Sequence, residues 1–137
     1  MQKDASPTLP VVSPYTQIGG EEGVRALVRR FYALMDSLPE VSGIRRMHPD
    51  LAVAEDKLFC YLSGWLGGPN LYVERFGQPF LRARHLPFSI GVSERDQWMA
   101  CMNQALDEHV ADAALRERLR EAFAGLANHM RNRAEPA

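Results

Sequence analysis

The sequence lacks the features that mark membrane, secreted and nucleic-acid-binding proteins. No apolar run approaches the roughly 20 residues that a membrane-spanning helix needs, and no apolar segment of the signal-peptide kind follows Lys3 and Asp4. The net charge is −1, with acidic and basic residues interspersed, so the basic patch of a nucleic-acid-binding surface is missing. We therefore expect a cytoplasmic protein with no membrane span and no nucleic-acid partner.

Residue patterns of several catalytic and metal-binding classes are also missing. There is no Gly-x-Ser-x-Gly motif and no glycine-rich phosphate loop before a lysine. None of the four histidines follows a glutamate at the Glu-x-x-His spacing of a di-iron helical bundle. Cysteine is scarce, because Cys60 and Cys101 are the only two. Both fall on predicted core-facing helix positions, which favours buried free thiols over a disulfide.

The composition that remains is that of a globular protein with a core of its own. The chain has 137 residues, of which 46% are hydrophobic and 24% charged, and this size fits one domain. Apolar residues recur every three or four positions in four long segments, at about residues 21–37, 50–66, 93–110 and 112–131. No strand-like alternation is found, so the sequence predicts an all-α fold with four long helices.

The two ends of the chain have no helical periodicity. Pro7, Pro10 and Pro14 fall within residues 1–14, which predicts a flexible or extended N-terminal arm. We expect a single helical domain over residues 15–132 and a short tail over residues 133–137.

The third long helix has a predicted start and a predicted buried face. Ser93-x-x-Asp96 resembles a capping box, in which a serine side chain accepts a backbone N–H of the first helical turn. The helical spacing of the following residues predicts a buried face made of Trp98, Cys101, Met102, Ala105, Leu106 and His109.

The connection between Gly67 and Ser93 is unusual for a helix bundle. It has room only for short helical turns, at about residues 71–76 and 81–85. Long irregular connections are usually functional or disordered, and this one is too apolar for disorder. Either a bound apolar cofactor or the faces of neighbouring helices would have to receive its apolar side chains, which are Leu71, Tyr72, Phe76, Phe80, Leu81, Leu86, Phe88 and Ile90.

His85 is the candidate metal ligand of this connection. A flat apolar macrocycle with an iron centre and acidic substituents would need one imidazole, apolar walls and a cationic rim. Arg82, Arg84 and Lys57 could supply that rim, since guanidinium and ammonium groups pair with carboxylates. From the residues alone, the alternatives of a structural histidine and an ordinary solvated basic face stay open.

Three polar or aromatic residues from separate elements are the candidates for the rest of a site. They are Tyr32, His48 and Trp98. A buried tyrosine or tryptophan normally finds a hydrogen-bond partner for its polar tip. If all three faced one cavity, they would form a cluster of donors; otherwise Trp98 is simply a core residue.

Several separated motifs recur in an order that resembles the group II truncated haemoglobins, over about residues 15–130. These motifs are Phe31-Tyr32, His48-Pro49-Asp50-Leu51, Trp65-Leu66-Gly67-Gly68-Pro69, Leu71-Tyr72-x-Glu74-Arg75-x-Gly77, Leu81-Arg82-x-Arg84-His85-x-Pro87-Phe88 and Arg95-Asp96-x-Trp98-x-x-Cys101-Met102. The resemblance implies a two-over-two globin fold, in which two antiparallel helix pairs form a sandwich around a b-type haem. The proximal helix of that fold is reduced to a short turn within a loop, which would account for the apolar connection.

The resemblance also implies roles for individual residues. His85 falls on the position of the iron ligand, and Tyr32, His48 and Trp98 fall on polar positions of the distal side. Ala54 stands where ordinary globins have a distal histidine. The remaining residues expected to contact haem are Lys57, Leu58, Tyr72, Leu81, Arg84 and Phe88, of which Lys57 and Arg84 are the expected propionate partners.

Two positions depart from the family's usual pattern. Gln78 stands where histidine is frequent, and we expect this position to shape the loop only. His48 stands where tyrosine is common. A histidine there could donate to a bound ligand, hold a water molecule, or become a sixth ligand of the iron.

The function implied by the resemblance is the binding of dioxygen and related diatomic gases at a haem iron. Donors from Tyr32 and Trp98 would favour tight ligation over bulk oxygen transport. Secondary peroxidase or nitric oxide dioxygenase-type activity would need an unidentified redox partner. Two alternatives remain open, a peroxidase-like haem enzyme and a cofactor-free helical protein-interaction module.

Overall fold

The computed structural model describes residues 12–133, and within that range its regular secondary structure is entirely helical. The predicted arm and tail therefore lie largely outside the described residues. A short 3₁₀ turn at Pro39–Val41 follows the second helix. The α-helices are α1 (Pro14–Gln17), α2 (Gly20–Ser37), α3 (Ser42–Arg46), α4 (Leu51–Trp65), α5 (Leu71–Phe76), α6 (Leu81–His85), α7 (Val92–His109) and α8 (Ala113–His129).

Helix α2 is the central element of the core. It contacts α4 on one side and α7 on the other, and α7 in turn packs on α8. The four predicted long helices thus form two packed pairs, α2 with α4 and α7 with α8. The buried residues of α2 recur every three or four positions, as the sequence predicted, and are Val24, Leu27, Val28, Phe31, Tyr32, Leu34 and Met35.

The predicted N-cap of α7, Ser93, is wrong by two residues. Gly91 is the N-cap, the helix begins at Val92, and the Glu94 carboxylate accepts the Gly91 N–H at 2.7 Å. Ser93 therefore lies inside the first turn, where its hydroxyl oxygen accepts a hydrogen bond from Gln97 Nε2 at 3.0 Å. The Ser93-x-x-Asp96 capping box does not form.

The predicted buried face of α7 is also wrong at its last position. Cys101, Met102, Ala105 and Leu106 are buried and Trp98 is half-buried, but His109 is exposed. The helix ends at His109 and the next residue, Val110, is extended with φ −118° and ψ 101°. This turn of the chain brings Val110 into the core in place of His109.

The cysteine prediction is confirmed, since Cys60 and Cys101 are both buried free thiols. The predicted stop after α4 is also confirmed. Gly67 has a φ of +100°, and a Cβ atom on Gly68 would lie 2.5 Å from the ring of Tyr15. Tyr15 also donates its backbone N–H to Leu66 O at 2.9 Å, so α1 closes over the end of α4.

The apolar side chains of the connection between Gly67 and Ser93 are only partly covered by the rest of the protein. Tyr72 and Ile90 are buried, whereas Phe80 is 67% exposed and Leu86 is 54% exposed. The expectation that all its apolar side chains are covered is therefore wrong for these two and, within the protein alone, for Phe88, which is 39% exposed. Phe80 lies in the left-handed region with φ 44°, an uncommon conformation for a bulky residue, and from there the chain enters α6. Across residues 12–133, no helix is long and apolar enough to cross a membrane.

Candidate functional site

A cavity of about 520 Å³ lies between α4, α6, α7 and the end of α8. Its volume falls within the range of roughly 300–1,000 Å³ that is usual for small-molecule and cofactor sites. All the residues that the resemblance assigned to haem binding line it, and they come from six separate parts of the chain: Tyr32, His48, Ala54, Lys57, Leu58, Tyr72, Leu81, Arg84, His85, Phe88 and Trp98.

The His85 ring is oriented by the backbone of its own helix. Its Nδ1 lies 2.7 Å from the carbonyl oxygen of Leu81. Because a carbonyl can only accept, Nδ1 carries the proton, and the neutral ring then has its lone pair on Nε2. Metal-bound histidines commonly donate their other N–H to a carbonyl or carboxylate in this way. His85 is thus arranged to offer Nε2 to a metal.

Tyr32 and Trp98 bring two polar donors to the same cavity. Burial, helped by the charge of Glu55, raises the pKa of Tyr32 well above its usual range, so its hydroxyl keeps its proton. The ring of Phe31 lies against both, 4.9 Å from Tyr32 and 5.0 Å from Trp98 between ring centroids. Neither the Tyr32 hydroxyl nor the Trp98 indole N–H is hydrogen-bonded to another residue between positions 12 and 133. Both are therefore available to a molecule in the cavity.

His48 faces the cavity as an acceptor. Its Nδ1 lies 2.8 Å from Ile44 O and therefore donates to that carbonyl. Burial lowers the pKa of His48, although its bond to Ile44 opposes this effect, and the nearby Arg45 charge lowers the pKa further. The neutral ring has its lone pair on Nε2. Of the roles considered from the sequence, this tautomer favours holding a water molecule or binding a metal and does not support donation.

Of the basic residues predicted for the rim, Arg84 and Lys57 line the cavity. Arg82 does not, because its guanidinium is bonded to backbone carbonyls beyond it, at His129 and Arg131. Arg84 donates from Nε to Pro79 O at 2.6 Å and from Nη2 to Gln78 O at 3.2 Å. Its guanidinium therefore supports the loop before α6 as well as facing the cavity. Lys57 Nζ lies 5.7 Å from the centre of the Phe76 ring. The propionate roles of Arg84 and Lys57 stay predictions.

Other lining residues were not identified from the sequence. Leu126 and Met130 fall in the last of the four segments in which apolar residues recur every three or four positions, so periodicity placed them on an inward face but did not indicate a cavity. Ile44 orients His48 through a backbone carbonyl, for which no side-chain pattern exists. The full additional set is Ile44, Met47, Tyr61, Ile90, Glu94, Arg95, Leu126, Ala127 and Met130.

Taken together, these groups fit a largely apolar cofactor with a metal at its centre. The cavity offers one imidazole with its Nδ1 already bonded, two donors without a partner among the described residues, and mostly apolar walls. The cationic side chains at its edge suit acidic substituents on such a cofactor.

Comparison with known proteins gives matches along nearly the whole chain. The family profile described as Bacterial-like globin matches residues 13–132. The curated Group 2 truncated hemoglobin YjbI of Bacillus subtilis (strain 168) is 40% identical over 123 residues, which cover 90% of this chain and 91% of that protein. The matched residues include every residue that lines the cavity.

Two solved structures are similar in both sequence and fold. The cold-adapted truncated hemoglobin from the Antarctic marine bacterium Pseudoalteromonas haloplanktis TAC125 is 45% identical with a TM-score of 0.88, covering 90% of this chain and 100% of that one. The Group II 2-on-2 hemoglobin from the plant pathogen Agrobacterium tumefaciens is 48% identical with a TM-score of 0.88, covering 93% and 99% respectively.

Proposed function

The chain belongs to the bacterial-like globins and within them to the group II truncated haemoglobins, and on that premise we propose that it binds dioxygen and other diatomic gases through a haem. The observation that carries the proposal is the state of His85. Its Nδ1–H is held by Leu81 O at 2.7 Å, and its Nε2 is left for a metal.

The residues that would hold the haem are those assigned from the resemblance. His85 Nε2 would be the iron ligand. Lys57 and Arg84 would pair with the propionates, and the small Ala54 side chain leaves room for a ligand. The apolar walls that exclude water would be Leu58, Tyr72, Leu81 and Phe88. The haem would be of the b type, because neither cysteine belongs to the Cys-x-x-Cys-His motif that covalent attachment uses.

When bound, the haem would supply an iron centre that coordinates small gases. The chain itself would supply hydrogen bonds. Tyr32 Oη and Trp98 Nε1 hold protons that they can donate to a ligand with partial negative charge, such as dioxygen. Each such bond to a charged group contributes about 1.5–3 kcal/mol, or about tenfold to a hundredfold in the rate of release. Slow release suits ligand retention or redox chemistry better than transport.

Peroxide chemistry is the second candidate function, and the tautomer of His48 supports it. The lone pair on His48 Nε2 can accept a proton from a protic ligand such as hydrogen peroxide, which is the role of a general base. Nitric oxide or peroxide turnover would also need an unidentified redox partner, and we propose that the protein meets it in the cytoplasm. Comparing turnover of peroxide with the rate of haem bleaching separates this activity from gas binding alone.

The proposal is tested by adding hemin to the purified chain and recording the absorption spectrum. We expect a strong Soret band that remains after gel filtration, and we expect His85→Ala to lose it. His109→Ala is the matched control, because His109 is exposed and does not line the cavity. A wild-type chain that takes up no hemin would exclude the haem function and leave an interaction module. Unchanged retention in His85→Ala would remove His85 as the ligand.

A further inference from the structure

The His85 segment, residues 80–90, buries few apolar side chains against the rest of the protein. Helix α6 has five residues and none of them is buried. Phe80 before it and Leu86 after it are exposed, and Ile90 is the first buried residue that follows. Because apolar burial is the main force that fixes a surface segment, polar contacts must hold this one in place.

Asn132, beyond the end of α8, makes most of those polar contacts. Its amide Nδ2 donates to His85 O at 3.2 Å and to Phe88 O at 2.8 Å. Its Oδ1 accepts the backbone N–H of Ile90 at 2.9 Å, and its own backbone N–H donates to Ile90 O at 2.8 Å. One side chain therefore uses both donors and its acceptor on three positions of the same loop.

Arg82 makes a second connection between the same two parts of the chain. Its Nη1 donates to His129 O at 3.0 Å and to Arg131 O at 2.7 Å. These carbonyls lie at the end of α8, where backbone acceptors have no partner within the helix. Asn132 thus bonds from the end of α8 to the His85 segment, and Arg82 bonds from that segment back to the end of α8.

We propose that Asn132 is a positioning residue for His85, an inference that rests on the proposed haem function. Leu81 O fixes the ring of His85 at Nδ1, and Asn132 fixes its backbone carbonyl. The two bonds together set the direction of Nε2. Asn132 touches neither the cavity nor the gas, because it does not line the pocket, and it acts only through the loop. Partners of this kind tune a metal through the orientation of its ligand.

The test uses the full chain loaded with haem and compares Asn132→Ala with Asn128→Ala. Asn128 also lies at the end of α8, but its Oδ1 accepts from Arg95 at 2.9 Å and from Arg131 at 3.2 Å, and no bond links it to the His85 segment. The readout is the iron–histidine stretching band in the resonance Raman spectrum of the reduced, gas-free protein. We expect the band to shift and broaden in Asn132→Ala and to stay unchanged in Asn128→Ala.

Two further measurements separate positioning from a general loss of stability. Haem transfer to an acceptor protein should be about tenfold faster in Asn132→Ala, as expected when about 1.4 kcal/mol of hydrogen bonding is lost. Amide exchange at Ile90 should also accelerate, with or without haem. Asn132→Asp keeps the acceptor for Ile90 but loses both donors, so its Raman band should shift while Ile90 stays protected.

The outcomes are distinguishable from failure of the haem function. If the wild-type chain binds hemin through His85 and neither Asn132 variant alters the Raman band relative to Asn128→Ala, the positioning role is wrong and the haem function stands. If Asn132→Ala does not fold, Asn132→Asp decides by the same band. A wild-type chain that takes up no hemin, or that retains hemin equally well as His85→Ala, would overturn both proposals.

Discussion

Single residues in the cavity differ in which hydrogen bonds they can still make. His85 and His48 each use Nδ1–H on a backbone carbonyl four residues earlier, Leu81 O and Ile44 O. Both rings line the same cavity and have their lone pair on Nε2, whereas Tyr32 and Trp98, which also line it, have a hydroxyl and an indole proton. The sequence predicted that these residues converge, through the resemblance, but it grouped His48 with the donors. The tautomer depends on a backbone carbonyl, which leaves no trace in the side-chain pattern.

Trp98→Phe should raise the rate of dioxygen release about tenfold to a hundredfold, because a donor to a partly charged ligand is removed. Stopped-flow displacement by carbon monoxide measures the rate. Trp65→Phe is the matched control, since Trp65 packs on Phe123 with 4.8 Å between centroids but does not line the cavity. An equal release rate in Trp98→Phe and the wild type would show that the indole N–H does not reach the ligand.

His48 should make the stability of the fold depend on pH. Burial lowers its pKa below the ordinary value of about 6.5, so the unfolded chain binds that proton more readily than the folded one. The stabilisation is present above about pH 6.5 and is lost as the pH falls through the lower folded pKa. Urea unfolding at about pH 7 and about pH 5 should show a smaller loss in His48→Phe than in the wild type. The same loss in both would contradict this origin, and His109→Phe serves as the control.

At the scale of elements, a hydrogen bond from one side chain, Gln97, links α7 to α3. Gln97 Oε1 accepts the Ile44 N–H at 3.1 Å, and Ile44 O in turn orients His48. Gln97 directly precedes Trp98 on α7, so the two distal residues are held relative to each other. Gly43 makes the contact possible, because a Cβ there would lie 2.9 Å from Gln97 Oε1.

Gln97→Ala should lower the free energy of unfolding by about 1 kcal/mol, the usual net contribution of one hydrogen bond. Gln97→Glu is the comparison, because a carboxylate oxygen can still accept from Ile44 N–H. Urea unfolding of the three proteins at neutral pH measures the difference. If the alanine and glutamate variants were equally destabilised, the bond to Ile44 would not be the cause.

Element positions were predictable where apolar spacing set them and less so where distant contacts did. The long helices follow their apolar stripes, and the short turns at Leu71–Phe76 and Leu81–His85 agree with the expectation. The start of α7 does not, because the Gly91 N–H donates to the Glu94 carboxylate at 2.7 Å and Gly91 is the N-cap. The preceding Ile90 is in addition bonded to Asn132. That contact joins positions 42 apart in the chain, which no local pattern contains.

At the scale of the whole molecule, the predicted all-α two-over-two globin fold is confirmed, since two truncated haemoglobins match it with TM-scores of 0.88. The order of separated motifs, and not any single motif, carried that prediction. Periodicity alone would have supported many helical folds. Periodicity also left open whether His85 was a metal ligand or a structural histidine, because a single histidine beside apolar residues is compatible with both roles.

Hemin should stabilise the whole chain, because a ligand that binds only the folded state shifts the unfolding equilibrium. At free hemin about 100 times its dissociation constant, the gain is about 2.7 kcal/mol. Thermal unfolding with and without hemin measures it as a rise in Tm. His85→Ala should lose most of the rise and His109→Ala should keep it; an equal rise in His85→Ala would mean that the iron ligand is not needed for binding.

The contacts of α6 also have a consequence for the order in which the protein acquires its structure. Its partners Asn132 and Arg131 come more than forty positions later in the chain. Contacts between distant positions form late, because closing a long loop costs entropy before the contact compensates for it. We therefore expect the turn with His85 to become ordered only after α8 has docked, so that the imidazole reaches its final position last.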